Sequence, residues 1–311
     1  GEIYLLLVRF RPKCLVLSEK RCIFVPQQKV LLTMEKIIGR ESEIRKLGKA
    51  LDSPRAEFIA LYGRRRVGKT FLINQMFMNA YAFKMTGVIE GSLKDQFTAF
   101  ADAMNDYGYN MPGQPQDWMQ AFIMLKNALR EKVDSGGRCI IFIDELPAMD
   151  AEGSNVARAV GYFWNNWACL HENVVFIICG SATSWMISNV IDSRGGLHDR
   201  ITIEMPIHPF TLRETELYLE SRHFVWNRQM ILHAYMVFGG IPYYLSILDH
   251  EESLVQNIDR LFFNQETRQI HRHRKHAGQE PERADKRRTG QETEMRQQRA
   301  SGQEAGRLGL L

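Results

Sequence analysis

The chain has 311 residues, of which 45% are apolar and 24% charged, with a formal net charge of +4. That length allows one or two domains, the apolar fraction supplies a sizeable core, and no run of 18 apolar residues offers a membrane span. Residues 266–311 carry 11 Lys+Arg against 7 Asp+Glu, which is the whole positive excess; the remaining 29 residues of each sign cancel, so charge balance gives the body of the chain no claim to nucleic acid, although a local patch stays open.

Residues 1–33 contain apolar bursts (YLLLV, CLVL, CIFV) broken by Arg and Lys, too interrupted for a signal peptide. No Met precedes Met34, and MEKIIGRESEI reads as a natural beginning; residues 1–33 are expected to be a non-native or disordered extension. Residues 34–206 alternate in character. Strands are expected near 57–62, 81–88, 139–144, 174–180 and 201–206, with helices near 41–51, 69–79, 93–107, 117–133, 155–169 and 183–190. Such alternation predicts an α/β fold, a parallel sheet sandwiched by helices, with ligands at the carboxyl ends of the strands. Residues 207–263 read as helices near 211–221, 227–237, 242–249 and 251–263, a small helical lid. Trp164, Trp167, Trp185 and Trp226 are expected in the core or at domain interfaces. Residues 264–311 are low-complexity and basic, with few large apolar residues; they are expected to be disordered or the product of a frameshift, with a basic nucleic-acid arm as the alternative. His271, His273 and His276 lack acidic or Cys partners at a metal-like spacing. The five cysteines (Cys14, Cys22, Cys139, Cys169, Cys179) also follow no metal pattern, and their odd number suits a reducing cytoplasm.

Gly63–Thr70 reads GRRRVGKT, the G-x-x-x-x-G-K-T pattern of a phosphate-binding loop. The apolar EFIALY precedes it and the apolar FLINQMFM follows it, which is the strand–loop–helix context the motif requires. Gly63 and Gly68 let the backbone curl so that N–H groups converge on an anion. Lys69 is positioned to neutralise the β- and γ-phosphates, and the Thr70 hydroxyl to ligate Mg²⁺. The helix N-terminus adds positive potential. Arg64, Arg65, Val67 and Phe71 fill out the loop region, and Arg64, Arg65 and Arg66 are expected to face a partner, a neighbouring element or solvent rather than the phosphates.

Cys139–Pro147 (CIIFIDELP) is a continuous apolar run that ends in two carboxylates. Such a run suits a strand buried on both faces. Asp144 at its end is the expected Mg²⁺ holder, and Glu145 the candidate base that activates water. A base beside the metal ligand suits hydrolysis, and a small-molecule kinase needs none. The next apolar run, VVFIIC, leads into Gly180-Ser181-Ala182-Thr183. Ser181, or failing that Thr183, can reach the γ-phosphate or the attacking water; capping the helix that follows is the other reading.

Together these elements resemble the archaeal and bacterial P-loop ATPases at the border of the AAA+ and STAND groups. IIGRESEIRKL (37–47) looks like that family's entry motif, MTGVIEGSLKDQF (85–97) its second-strand region, RITIEMPIHPF (200–210) its segment after sensor 1, and GGIPYYL (239–245) the Gly-x-Pro motif of its lid. The resemblance spans roughly residues 37 to 263. It implies an ATPase module with Gly39 and Arg40 near the adenine, Pro242 packed by the base and Arg200 as an arginine finger or sensor. ATP and Mg²⁺ are the implied cofactors. The winged-helix and nuclease-like regions that usually follow are not recognisable here. The expected activity is Mg-dependent ATP hydrolysis that repositions the lid and signals to an unknown protein partner or to a second copy. The alternatives are a slow nucleotide switch and a DNA-associated accessory ATPase.

Overall fold

The computed structural model describes residues 37–77, 80–111, 113–192, 196–197 and 199–263; the expectations on residues 1–33 and 264–311, with Cys14, Cys22 and the three histidines, lie outside these. The chain divides into two units, with the boundary between His208 and Pro209.

The first unit is built on the apolar runs. After a helix Glu41–Leu51 (α1) come strand Glu57–Tyr62 (β1), helix Lys69–Phe77 (α2), strand Phe83–Thr86 (β2), and helices Leu93–Asp106 (α3) and Trp118–Asp134 (α4). Strand Cys139–Asp144 (β3), helix Val156–Asn166 (α5), strand Val174–Gly180 (β4), the short helix Thr183–Met186 (α6) and strand Ile203–Pro206 (β5) follow. The five strands form one parallel sheet in the order β2-β3-β4-β1-β5. Period-two alternation splits their side chains between two cores. Phe58, Ala60, Ile141, Ile143, Phe176 and Ile178 face one core, which α3, α4 and α5 cover. Ile59, Leu61, Ile140, Phe142, Ile177 and Cys179 face the other, with Leu47 and Ala50 of α1 and Leu72, Ile73 and Phe77 of α2. Residues in β3 and β4 are buried on both faces, as continuous apolar runs require.

Several boundaries differ from the pattern. The 81–88 strand contracts to β2, because pairing with β3 runs only from Phe83↔Ile141 to Thr86↔Asp144. The 155–169 helix stops at Asn166, since Trp167 leaves helical geometry (φ −150°, ψ −60°) with its side chain buried among Phe163 and its neighbours. The 183–190 helix is one α-helical turn followed by a π-helical turn, Ile187–Ile191. Where β5 was expected to begin, Thr202 makes side-chain and backbone bonds to Phe58 instead: Phe58 N donates to Thr202 Oγ1 and Thr202 N to Phe58 O, both at 2.9 Å.

The second unit is helical: Leu212–Ser221 (α7), Arg228–Phe238 (α8), Pro242–Ser246 (α9) and Leu254–Ile258 (α10), the last continued by a π-helical turn Asp259–Phe263. Thr211 and Glu214 cap α7 reciprocally, Ser253 and Gln256 cap α10 in the same way, and Asn227 caps α8. Phe210, Leu219, Phe224, Ile231, Phe238 and Leu245 make its core. Trp226 packs there, whereas Trp164 and Trp167 lie in the sheet's core. Among the described residues no helix is long and apolar enough to cross a membrane.

Candidate active site

Because all five strands are parallel, their carboxyl ends share one edge of the sheet. The loop leaves β1 at Gly63, whose φ is +148°. A Cβ here would lie 2.2 Å from the Ile207 carbonyl oxygen, so the close approach itself demands glycine. Arg66 (φ +71°) and Gly68 (φ +90°) complete the curl. Val67 is buried in the core with α2, while Arg64, Arg65 and Arg66 are exposed. Phe71, in the first turn of α2, is 40% exposed.

Lys69 opens α2 and is buried, and an ammonium ion taken from water needs partners. Its Nζ donates to the carbonyls of Gly63 at 2.9 Å and Arg64 at 3.0 Å. Thr70 Oγ1 donates to Asp144 Oδ2 at 2.7 Å. Asp144, the buried last residue of β3, accepts the Glu145 N–H on Oδ1 at 3.0 Å. Glu145 sits in the left-handed region (φ +50°), an uncommon conformation for a non-glycine residue. Its Oε2 accepts from both Ser181 N (3.1 Å) and Ser181 Oγ (2.8 Å). Arg65 Nε donates to Ser181 Oγ at 3.3 Å. A hydrogen-bonded chain thus runs from the loop through Arg65, Ser181, Glu145 and Asp144 back to Thr70.

The turn after β3 is held from several sides. Gly87 N donates to the Asp144 carbonyl at 2.9 Å, and a Cβ on Gly87 would stand 2.6 Å from the Glu145 carbonyl oxygen. Gln96, fully buried, donates to Val88 O at 2.7 Å and Ala148 O at 3.0 Å. Trp185 Nε1 donates to Asp150 Oδ2 at 3.0 Å. Below the carboxylates, burial first and then the Asp144 charge push the Cys179 thiol well above its ordinary range, so it stays protonated. At the end of β1, burial and then Glu204, whose Oε1 accepts from Tyr62 Oη at 2.5 Å, raise the Tyr62 phenol to about 12.

The structure gathers Gly63 to Thr70, Asp144, Glu145 and Ser181 at one edge. Ser181 turns to Glu145, and Ala182, not Ser181, stands at the N-cap of α6 without a side-chain cap bond. Thr183 opens α6. Gly39 and Arg40 are consecutive left-handed residues (φ +67° and +65°) ahead of α1. The Arg40 guanidinium is buried and donates to Val67 O and His208 O, so it lies under the loop. Arg200 is not brought to the group. It precedes Thr202, which pairs with Phe58 at the amino end of β1, whereas the loop starts five residues later, about 16 Å along a strand. Pro242 begins α9 in the second unit, at a helical position that tolerates proline. Sequence reasoning missed Gln96 and Gly87, and it placed Arg65 in the loop without its bond to Ser181. A glycine one residue past a strand is the available signal for Gly87.

The sequence matches the model of a family described as an ATPase domain predominantly from Archaea over residues 37–248. It is 30% identical over 212 residues to an uncharacterised protein of Methanocaldococcus jannaschii, covering 67% of this chain and 43% of that protein. The chain therefore spans less than half the length of this relative. Among solved structures, the Walker-type ATPase of Pyrococcus abyssi is similar at TM-score 0.48 and 17% identity, with 76% of each chain covered. The Aeropyrum pernix ORC2 protein is similar at TM-score 0.46 and 14% identity, covering 73% of this chain and 63% of that one. The chain belongs to the family of ATPase domains found predominantly in Archaea, with residues 37–248 as its ATPase domain.

Proposed function

We propose that this protein hydrolyses ATP in a Mg²⁺-dependent manner at the edge formed by the loop and the ends of β3 and β4. The observation that carries the reading is the Thr70–Asp144 hydrogen bond, with the Glu145 carboxylate one residue away. A hydroxyl and a buried carboxylate at 2.7 Å are the hard oxygen donors that suit Mg²⁺ beside phosphate. Thr70 and Asp144 would hold the ion, which supplies Lewis-acid charge neutralisation at the phosphate oxygens.

The chain's own groups do the rest. Lys69 exchanges the Gly63 and Arg64 carbonyls for phosphate oxygens, trading neutral acceptors for charged ones. Curled N–H groups of the loop and the amino end of α2 bind the same anion. Glu145, freed from Ser181, orients a water and accepts its proton as that water attacks the γ-phosphorus, while the bond to the β,γ-bridging oxygen breaks and ADP leaves with phosphate as the other product. Ser181 holds the carboxylate until then. Arg64, exposed at the loop, is placed for the nucleotide's outer edge or a partner.

The second unit serves as the lid in this reading. Its first residues are tied to its Gly-Gly-Ile-Pro turn: Phe210 N donates to Gly240 O at 2.7 Å, and a Cβ on Gly240 would meet the Phe210 carbonyl at 2.2 Å. A shift at residues 209–210 is thereby carried to Pro242. Partner or self-association, and the role of Arg200 toward a second copy, belong to the whole protein.

A slow switch is the second reading, favoured by the clasp of Ser181 on Glu145, which withholds the base. Steady-state turnover with and without Mg²⁺ separates the two. Metal-dependent turnover that disappears in Glu145→Gln supports the hydrolase, and tight ATP binding without turnover in the parent supports the switch.

A further inference from the structure

The guanidinium of Arg40 is buried, and a buried cation requires acceptors. Glu43, one turn along α1, supplies a carboxylate at 3.5 Å from Nη1. Nη2 has two protons and gives them to two different places: Val67 O at 3.1 Å, inside the phosphate loop, and His208 O at 2.6 Å, the last residue before the second unit. One nitrogen therefore spans 141 residues of chain between the loop and the exit segment. The exit segment meets the loop elsewhere too. Ile207 N donates to Tyr62 O at 2.7 Å, and the Ile207 carbonyl occupies the space a side chain on Gly63 would need.

We infer that Arg40 is a positioning residue that couples occupancy of the phosphate loop to the exit segment Ile207–His208. The inference rests on the reading of Gly63–Thr70 as a nucleotide site. Binding phosphate draws Lys69 off the Gly63 and Arg64 carbonyls and re-aims the loop's peptide groups. The Val67 carbonyl belongs to that loop. A planar fork with both Nη2 protons committed has no slack, so a turn of the Val67 peptide breaks or tilts the bond to His208. Residue 208 is where the chain leaves the sheet, so the change enters the second unit through its first residues. Nucleotide-binding reasoning from the loop alone assigns Arg40 no such role.

Peptide-resolved hydrogen exchange on the full chain, with and without saturating Mg·ADP, tests this. The parent should show protection over residues 63–70 and an exchange rate over residues 205–210 that changes about fivefold, the scale of an ordinary coupling energy. Arg40→Gln, at its own saturating Mg·ADP, should keep the response at 63–70 and lose that at 205–210. Arg40→Lys, which keeps the buried charge but presents a point donor, should also lose it, and covers the case in which Arg40→Gln does not fold. An equal response at 205–210 in parent and Arg40→Lys overturns the inference. So does protection of the parent's loop with no change at 205–210. No protection at 63–70 in the parent would instead overturn the nucleotide reading on which it rests.

Discussion

Thr70 and Asp144, 74 residues apart in the chain, share a 2.7 Å hydrogen bond between the first turn of α2 and the end of β3. Each satisfies the other's polar group, and in the proposed reading Mg²⁺ would take the place of that bond. Asp144→Asn removes the charge and retains the shape. It should lower turnover by about 10²-fold, the scale of a lost electrostatic stabiliser, and raise the Mg²⁺ concentration for half-maximal rate. A Mg²⁺ titration at saturating ATP measures both. An unchanged Mg²⁺ dependence would remove Asp144 from the metal site.

Glu145 lies beside that pair with its carboxylate turned to Ser181. Glu145→Gln keeps the hydrogen-bonding shape and loses the base. Turnover should fall by about 10²–10⁴-fold, the range for general-base catalysis, with ATP affinity retained. Single-turnover kinetics beside a binding titration separate the terms; equal losses in both would assign Glu145 to binding.

Gly63 has Ile207 O where its Cβ would be, and a φ of +148°. Gly63→Ala must move either the loop or the exit segment, because the obstacle is backbone. The loss should be about 3 kcal/mol or more, in the range for strained special positions, with a Tm decrease of roughly 2–4 °C per kcal/mol for a domain of this size. Thermal unfolding checks it; a Tm within error of the parent would show that the approach can relax.

Tyr62 binds its proton more tightly in the fold than when unfolded, through burial and then the Glu204 carboxylate. A raised phenol contributes stability that is fully present below its unfolded pKa of about 10 and lost as pH rises through the folded value of about 12. Denaturant titrations should therefore show stability declining between these values, and declining less in Tyr62→Phe. Equal slopes in the two proteins would place the alkaline transition on other groups.

Burial keeps Cys139 and Cys179 protonated, the first raised to about 11, while Cys169 is exposed. Since the thiolate is the reactive form, iodoacetamide on the native protein should modify Cys169 and spare the other two until denaturant exposes them. Peptide mass spectrometry reads this; native modification of Cys179 would mean that the carboxyl end of β4 opens on its own.

The strands and the motif residues were legible for a plain reason. Ile140–Ile143 and Val174–Cys179 are unbroken apolar runs, and only a sheet covered on both faces accepts them. Asp144 and Glu145 stand at the end of one such run, and Lys69 and Thr70 open the helix that the loop from β1 feeds, so topology carries them to one edge. What local pattern does not report is backbone direction. Glu145 meets Ser181 because its φ is positive, and nothing in DELP announces that. Arg200 reads as a finger or sensor only through the family resemblance, and the parallel register sets it at the amino end of the sheet, away from the loop that follows β1. Arg40 presents as a charged turn residue, and its burial emerges only when Val67 and His208, distant in sequence, close over it.

The sheet order has a further consequence for synthesis. β1 pairs with β4 and β5, with Glu57 opposite Val175 and Ile59 opposite Ile203. Both partners leave the ribosome more than a hundred residues later, a wait of roughly 6–30 s at ordinary elongation rates. Through that interval the nascent EFIALY segment has two bare ladder edges and two greasy faces, the profile of a strand that pairs with a stranger. The segment that carries the phosphate loop is thus made well before both of its strand partners and enclosed only after them, and shielding it falls to chaperones or to fast collapse of α1 and α2 over one side.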